Sequence, residues 1–356
     1  MVSVKEFGAV GDGSTDDTNA LRNALLSCAD TGSKLYFPEG IYNYSQPIAI
    51  ALPERNTFQK GRALNLLGSG SANCGLNWLG GSSVTGLTIT GNMPASDRLS
   101  ISGLRFVRPD PGSSPVGATG AALRLEKLSD VGISDCIFFR HGRGLHLLGC
   151  LVVALDRTML MYNDVGLRCE QANYASSPNV ITVRNSNFGT NHSRAVQLIG
   201  GSSNGFTNCL FEGTGEDVDA TSIAVEIVNP GSAGAVATTF DRCYFENNLG
   251  RGVYWYSAND LPQLVAFDNC TFNRLIGRDK ESIVVDFSAR QQGNAPAMLR
   301  LRGSTFYGYN GYVPTPSKPH LALIVPTTYI GMTIAGIAET LHQSDFGTIP
   351  NNVSQI

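Results

Sequence analysis

The chain has 356 residues, 42% of them hydrophobic, with 40 glycines, 15% charged residues and a formal net charge of -3. That is enough length for a large buried core, but the many glycines and few charges suit short strands and tight turns and argue against long helices. Lys and Arg are scattered rather than clustered, which excludes the electrostatic footprint of a nucleic-acid partner, and no apolar run is long enough for membrane insertion as a helix.

The chain begins MVSVKEFGAVGDG, without the basic start and apolar run of a secretory leader, so no signal peptide is expected. From Thr18 to Ala29 apolar residues recur at helical spacing behind Asp16 and Asp17, acids suited to a first helical turn. A short helix is predicted there, capping a core and strand edge that would otherwise be open. GDGSTDD offers oxygen donors at Asp12, Ser14, Asp16 and Asp17, but lacks the Glu that closes a calcium loop and reads as the turn into that helix. GAVGDG does not satisfy the GxGxxG pattern of dinucleotide binding, and no CxxC or Cys/His cluster has zinc spacing; no cofactor and no metal site are expected.

NLLGS at 65–69, GLTIT at 86–90 and SISGLRFV at 100–107 read as upstream coils with larger insertions. Downstream, seven segments are variants of one phrase: ISDCIF ending at Phe138, LDRTML at Leu160, VRNSNF at Phe188, FTNCLF at Phe211, FDRCYF at Phe245, FDNCTF at Phe272 and LRGSTF at Phe306. The intervals of 22, 28, 23, 34, 27 and 34 residues are those of a solenoid. In FDNCTF, alternation points Phe267 inward, the step from Asp268 to Asn269 makes a bend, and Cys270 and Phe272 point inward on the next strand. Cys136, Cys209, Cys243 and Cys270 share one place in the phrase, so a stack of free buried thiols is expected rather than disulfides. Each coil then continues through a variable loop to a third apolar strand, at 144–148, 166–170, 195–199, 223–228, 252–256 and 283–287, with Trp255 inward. Three strands per coil describe an all-β parallel β-helix. Residues 1–45 form the N-terminal cap and 46–310 the β-helix, while 311–356, rich in proline and apolar residues, are expected to cap the other end or to join neighbouring chains.

VKEFGAVGDGSTDDTNALRNAL from Val4 to Leu25, followed by KLYFPEGIYNY from Lys34 to Tyr44, closely resembles the N-terminal signature of the pectate-lyase-like single-stranded right-handed β-helix superfamily. Within it, the chain looks like bacteriophage tailspikes and capsule depolymerases. The resemblance implies a right-handed solenoid, a homotrimer, and binding of a bacterial surface polysaccharide along the coils, often with cleavage. It also implies a place on the virion tail, acting outside the cell, with other virion tail proteins as further partners. No virion-attachment domain is recognisable before the signature. The superfamily includes lyases, hydrolases, transferases, epimerases and binding proteins, so activity has to be argued from side chains. Of the polygalacturonase motifs, HGRG at 141–144 only partly echoes GHG, which argues against pectin hydrolysis.

Glycoside hydrolysis needs a carboxylic acid for the leaving oxygen and a carboxylate as nucleophile or base. The residue after each inward Phe or Leu faces out, giving the row Phe139, Met161, Gly189, Glu212, Glu246, Asn273 and Tyr307. Glu212 and Glu246 are thus predicted as outward neighbours about one coil step, roughly 4.8 Å, apart, close enough for the like charges to raise one pKa. The loop after Phe211 adds Glu216, Asp217 and Asp219 as further candidates. A second outward row on the third strands, His146, Arg168, Gln197, Glu226, Tyr254 with Tyr256, and Asp286, suits sugar binding, and Glu226 with Asp286 forms a reserve catalytic pair two coils apart. Arg251 is a further substrate contact. A lyase would instead draw a base and a charge neutraliser from His141, Arg143, His192, Arg194 and Arg251, read as loop residues, and a glycan-binding spike without catalysis would need no base at all.

Overall fold

Each copy of the phrase folds as strand, bend, strand. In FDNCTF the first strand is Gln263–Asp268 and the second Thr271–Arg274, with Asn269 between them at φ 56°. The same left-handed bend recurs at Asp135, Arg157, Asn185, Asn208 and Arg242, with φ from 47° to 53°, and at Gly303 in the last copy. Asn, Asp and Gly tolerate this conformation best. The two arginines that depart from that preference have acids at hand: Arg157 pairs with Asp135 at 2.7 Å and Arg242 with Asp241 at 3.0 Å.

The computed structural model describes residues 1–53, 64–92, 98–109, 115–172, 179–215, 221–229, 236–258, 261–274, 281–290, 296–308, 320–325, 332–336 and 349–356. Among them, strands stack in parallel into three sheets of 13, 11 and 10 strands. The sheets are named here in the order the chain visits them within a coil. The first holds the strand before the bend, the second the strand after it, and the third the apolar strand that follows. The expected third strands are present as Arg143–Leu148, Val165–Glu170, Arg194–Ile199, Ile223–Asn229, Arg251–Ser257 and Ile283–Asp286. Within 311–356, Leu321–Ile324 extends the third sheet, and Met332–Ala335 and Ser354–Gln355 extend the first.

Register puts like on like inside. Phe211, Phe245, Phe272 and Phe306 are successive partners on the second sheet, with rings stacked at 4.7, 4.5 and 4.6 Å. A second stack, Phe206, Phe240 and Phe267, runs down the first sheet beside it at 5.0 and 4.9 Å. All eight cysteines are free and buried, and burial pushes the Cys136 thiol up to about 12, so these thiols are packing groups rather than nucleophiles. Trp255 is fully buried against Phe287.

The helix runs Thr18–Thr31 and ends at Gly32 in the left-handed conformation. It lays Leu21 and Leu25 against Phe37, Tyr44, Ile48 and Leu66 of the first coils, closing that end of the core. The carboxylates before it are consumed by the turn: Asp12 accepts from Ser14 and Thr15 N–H, Asp16 from Thr18 N–H, and Asp17 from Val10 and Gly11 N–H. The acids of GDGSTDD therefore hold backbone.

Candidate functional site

Two faces of the coil stack carry the candidate side chains, and they are built differently. On the second sheet, Glu212 and Glu246 are register partners, followed by Asn273 on the next coil. Both carboxylates are half-buried on the outer face. Asn273 donates from Nδ2 to Glu246 Oε1 at 2.9 Å and to the Tyr244 hydroxyl at 3.1 Å. Among the described residues, neither Glu212 nor Glu246 has a cationic partner. Towards the N-terminal end, the same row continues through Gly189 to Met161 and Phe139. Glu216, Asp217 and Asp219 lie outside the described residues.

On the third sheet the outward residues form two rows rather than one. Arg124, His146, Arg168, Gln197, Glu226 and Tyr254 are successive partners in the first. Glu126, Leu148, Glu170, Ile199, Val228, Tyr256 and Asp286 make the second, two residues further along each strand. Asp286 therefore does not share a row with Glu226, as the expected reserve pair requires. The partner of Tyr254 is Val284, and only the reach of its phenol brings Tyr254 to Asp286, at 2.6 Å. Burial together with that hydrogen bond pushes the Tyr254 phenol above its ordinary range.

The two rows are laced by charge. His146 Nε2 meets Glu170 Oε1 at 2.6 Å, Arg168 donates to Glu170 Oε2 and to Gln197, Gln197 donates to Glu226 at 2.6 Å, and Arg194 pairs with Glu226 at 3.1 Å. Arg124 pairs with Glu126, and Arg251 lies 3.4 Å from Glu281 and over the Tyr254 ring. Burial pushes the Glu170 carboxyl up, but the hydrogen bonds from His146 and Arg168 outweigh it and hold it at about 2. Although His146 stands at an outward position, its ring is 1% exposed beneath these neighbours, and burial lowers its pKa.

The residues read from sequence as loop bases are placed otherwise. Arg143, Arg194 and Arg251 are the first residues of third-sheet strands. His141 and His192 are buried, not exposed, and burial with the nearby Arg108 charge holds His141 at about 3, so it stays neutral and structural. In HGRG, the glycines let coils touch: a Cβ on Gly142 would meet Ala118 O at 2.5 Å, and one on Gly144 would meet Gly166 O at 2.7 Å. Sequence reading missed Glu170, the hub of the third-sheet ladder. Its signal was available, because Arg168-Cys169-Glu170 repeats the Arg124-Leu125-Glu126 pattern that sets opposite charges two apart on one face.

Residues 1–92 match a family described as rhamnogalacturonase A/epimerase, pectate lyase-like, and residues 121–278 match the right-handed β-helix region family. The chain is similar to full-length tailspike protein 2 of Escherichia coli O157:H7 bacteriophage CAB120, with 18% identity and a TM-score of 0.68 over 99% of this chain and 46% of that one. ORF18 of Geobacillus virus E2 gives 17% identity and a TM-score of 0.65 over 91% and 59%. The A-module of mannuronan C-5 epimerase AlgE4 from Azotobacter vinelandii gives 15% and 0.59 over 99% and 100%. The chain spans about half the length of the two phage proteins. The chain is a right-handed parallel β-helix, and its first 92 residues carry the pectate lyase-like match.

Proposed function

We propose that the chain is a tailspike-like depolymerase that binds a bacterial surface polysaccharide, whether capsule, O-antigen or exopolysaccharide, across the second sheet and hydrolyses it with Glu212 and Glu246. The observation that carries this reading is that these two are register neighbours left without a cation among the described residues, whereas each acid of the third-sheet strands is already engaged. A coil step of about 4.8 Å suits the roughly 5–5.5 Å carboxyl separation of a retaining mechanism. Glu246, fixed by the Asn273 amide, is the nucleophile, and Glu212 protonates the leaving glycosidic oxygen. Water then attacks the glycosyl-Glu246 ester, with Glu212 taking its proton and the sugar leaving with its anomeric configuration kept. Arg251, Tyr254 and Tyr256 belong to the neighbouring face and are assigned to holding glycan, not to the chemistry.

Replacing Glu212 or Glu246 singly with Gln is expected to stop the release of reducing ends while glycan binding persists. Near-normal turnover in both variants would remove the assignment. A product with an unsaturated uronate absorbing in the ultraviolet would convert the reading to a lyase, and a bound polysaccharide left at full length would convert it to a receptor spike. Assembly as a homotrimer on a virion tail belongs to the same proposal and is supported by the N-terminal signature; a monomer in light scattering would count against it.

A further inference from the structure

Three coils towards the N-terminus from Glu212, the outward row reaches an aromatic cluster. Phe139 and Tyr162 meet edge to face at 5.1 Å, and the Arg140 guanidinium lies over the Phe139 ring at 5.0 Å. Tyr162 is 38% exposed. Among the described residues Arg140 has no acidic partner, unlike the ion-paired Arg98, Arg124, Arg157, Arg168, Arg194, Arg242, Arg251 and Arg300.

Backbone conformation places the two side chains together. Arg140 and Tyr162 occupy the turn that leads from the second sheet to the third, at φ 64° and 56°; the same turn in later coils is made by Thr190, Gly213 and Asn247. Gly and Asn adopt that conformation at little cost, while a bulky aromatic or a long cation does not. Thr190 shows that the turn accepts other residue types, and Arg140 and Tyr162, on adjacent coils, are the two at this turn whose side chains gather about the Phe139 ring.

Between the cluster and the acids no charged side chain intervenes in the row. Gly189, directly before Glu212, is buried, and a Cβ there would meet Met161 Cε at 3.1 Å and Asn187 Oδ1 at 3.2 Å, so the Met161 side chain lies over it. The way from Phe139 to Glu212 is three coil steps, about 14 Å, over the apolar Met161 side chain. A linear chain lying along the row would rest one sugar on the rings while another spans the carboxylates.

We infer that Phe139, Arg140 and Tyr162 form a subsite for an acidic sugar, its C–H face on the exposed Tyr162 ring and its carboxylate on the Arg140 guanidinium, with Phe139 packed against both, remote from the scissile bond. The Tyr162 ring supplies a stacking platform, and the guanidinium, held over Phe139 and without an acidic partner among the described residues, supplies a charge-assisted contact that a neutral sugar cannot use. The inference rests on the proposed glycan path along the second sheet but not on the identity of the catalytic groups.

The test is calorimetric binding of hexamers of mannuronate, galacturonate and glucuronate, each beside its carboxyl-reduced neutral counterpart, to the full chain carrying Glu212→Gln. At least one hexuronate is expected to bind roughly tenfold more tightly than its reduced form, the scale of one charged hydrogen bond. Arg140→Gln should erase that preference with an unchanged melting temperature, and Tyr162→Ala should weaken both forms. No hexuronate bound, or a preference surviving in Arg140→Gln, would overturn the subsite. Release of reducing ends is scored separately: full turnover by Glu212→Gln and Glu246→Gln alongside loss of preference in Arg140→Gln would fell the hydrolase assignment and leave the subsite standing.

Discussion

The second and third sheets are made by the same repeat and face solvent with similar residue types, yet their acids have opposite surroundings. On the third, Glu126, Glu170, Glu226 and Asp286 are each engaged by Arg, His, Gln or Tyr. On the second, Glu212 and Glu246 stand together with an amide and no cation among the described residues. In a solenoid every residue has a neighbour one coil above and one below, so an outward acid is defined less by its own strand than by those two positions. A salt-bridged ladder holds coils in register. A bare pair of carboxylates is electrostatically unfavourable and persists where something other than stability selects it.

Removing one acid from each face should have opposite consequences. Glu212→Gln and Glu246→Gln should each lower turnover by about a thousandfold, within the range of lost acid or base catalysis, with little change in stability. Glu226→Gln should do the reverse: turnover within a few-fold of the parent and a loss of about 1–3 kcal/mol, because it leaves the Arg194 guanidinium, with 22% of its side chain exposed, facing a neutral amide. Reducing-end assays and urea unfolding on the same preparations measure both. If Glu226→Gln silences the protein and the other two do not, the catalytic face is the third sheet.

Acid sharpens the contrast from the stability side. The Glu170 carboxyl is held at about 2 in the folded chain, below its ordinary 4.5. A depressed folded pKa contributes stability that is present above the unfolded value, so the contribution is intact at neutral pH and is lost as pH falls from about 4.5 towards 2. Its size is up to about 3 kcal/mol. Unfolding of the parent should weaken over that window, and Glu170→Gln should start weaker at pH 7 and lose less on acidification. An unchanged pH slope in Glu170→Gln would mean that the ladder does not hold the coils.

What the sequence disclosed follows from which strands carry a fixed mark. The phrase ending in Phe anchors the first and second strands of a coil, so the bend at Asn269, the inward Phe stack, the free thiols and the pairing of Glu212 with Glu246 could all be read from it. The third strand has no such anchor, only apolar alternation. Alternation tells inside from outside but not which outward residue of one coil meets which of the next, and the error at Asp286 is a slip of two residues that leaves the facing unchanged. The buried histidines were illegible for another reason. His141 follows a left-handed turn that carries it inward, where Asn163 Oδ1 accepts from its backbone N–H at 3.0 Å, a partner 22 residues away that no local pattern announces.

The smallest effect worth measuring lies at the amide that holds one carboxylate of the second-sheet pair. Asn273 is 9% exposed and donates to both Glu246 and Tyr244, so it fixes the carboxylate without touching the bond to be cleaved. Asn273→Ala removes two hydrogen bonds, each worth about 0.5–1.5 kcal/mol net, and turnover should fall several-fold to tenfold. A positioning role predicts that kcat carries the loss and KM does not, since the glycan still finds the same surface. Tyr244→Phe, which keeps the ring and removes one of the two contacts, should cost less than Asn273→Ala. Equal losses in kcat for both would assign the effect to packing, because only the amide reaches Glu246 directly, and an unchanged kcat in Asn273→Ala would show that Glu246 needs no orientation and weaken its choice as the nucleophile over Glu212.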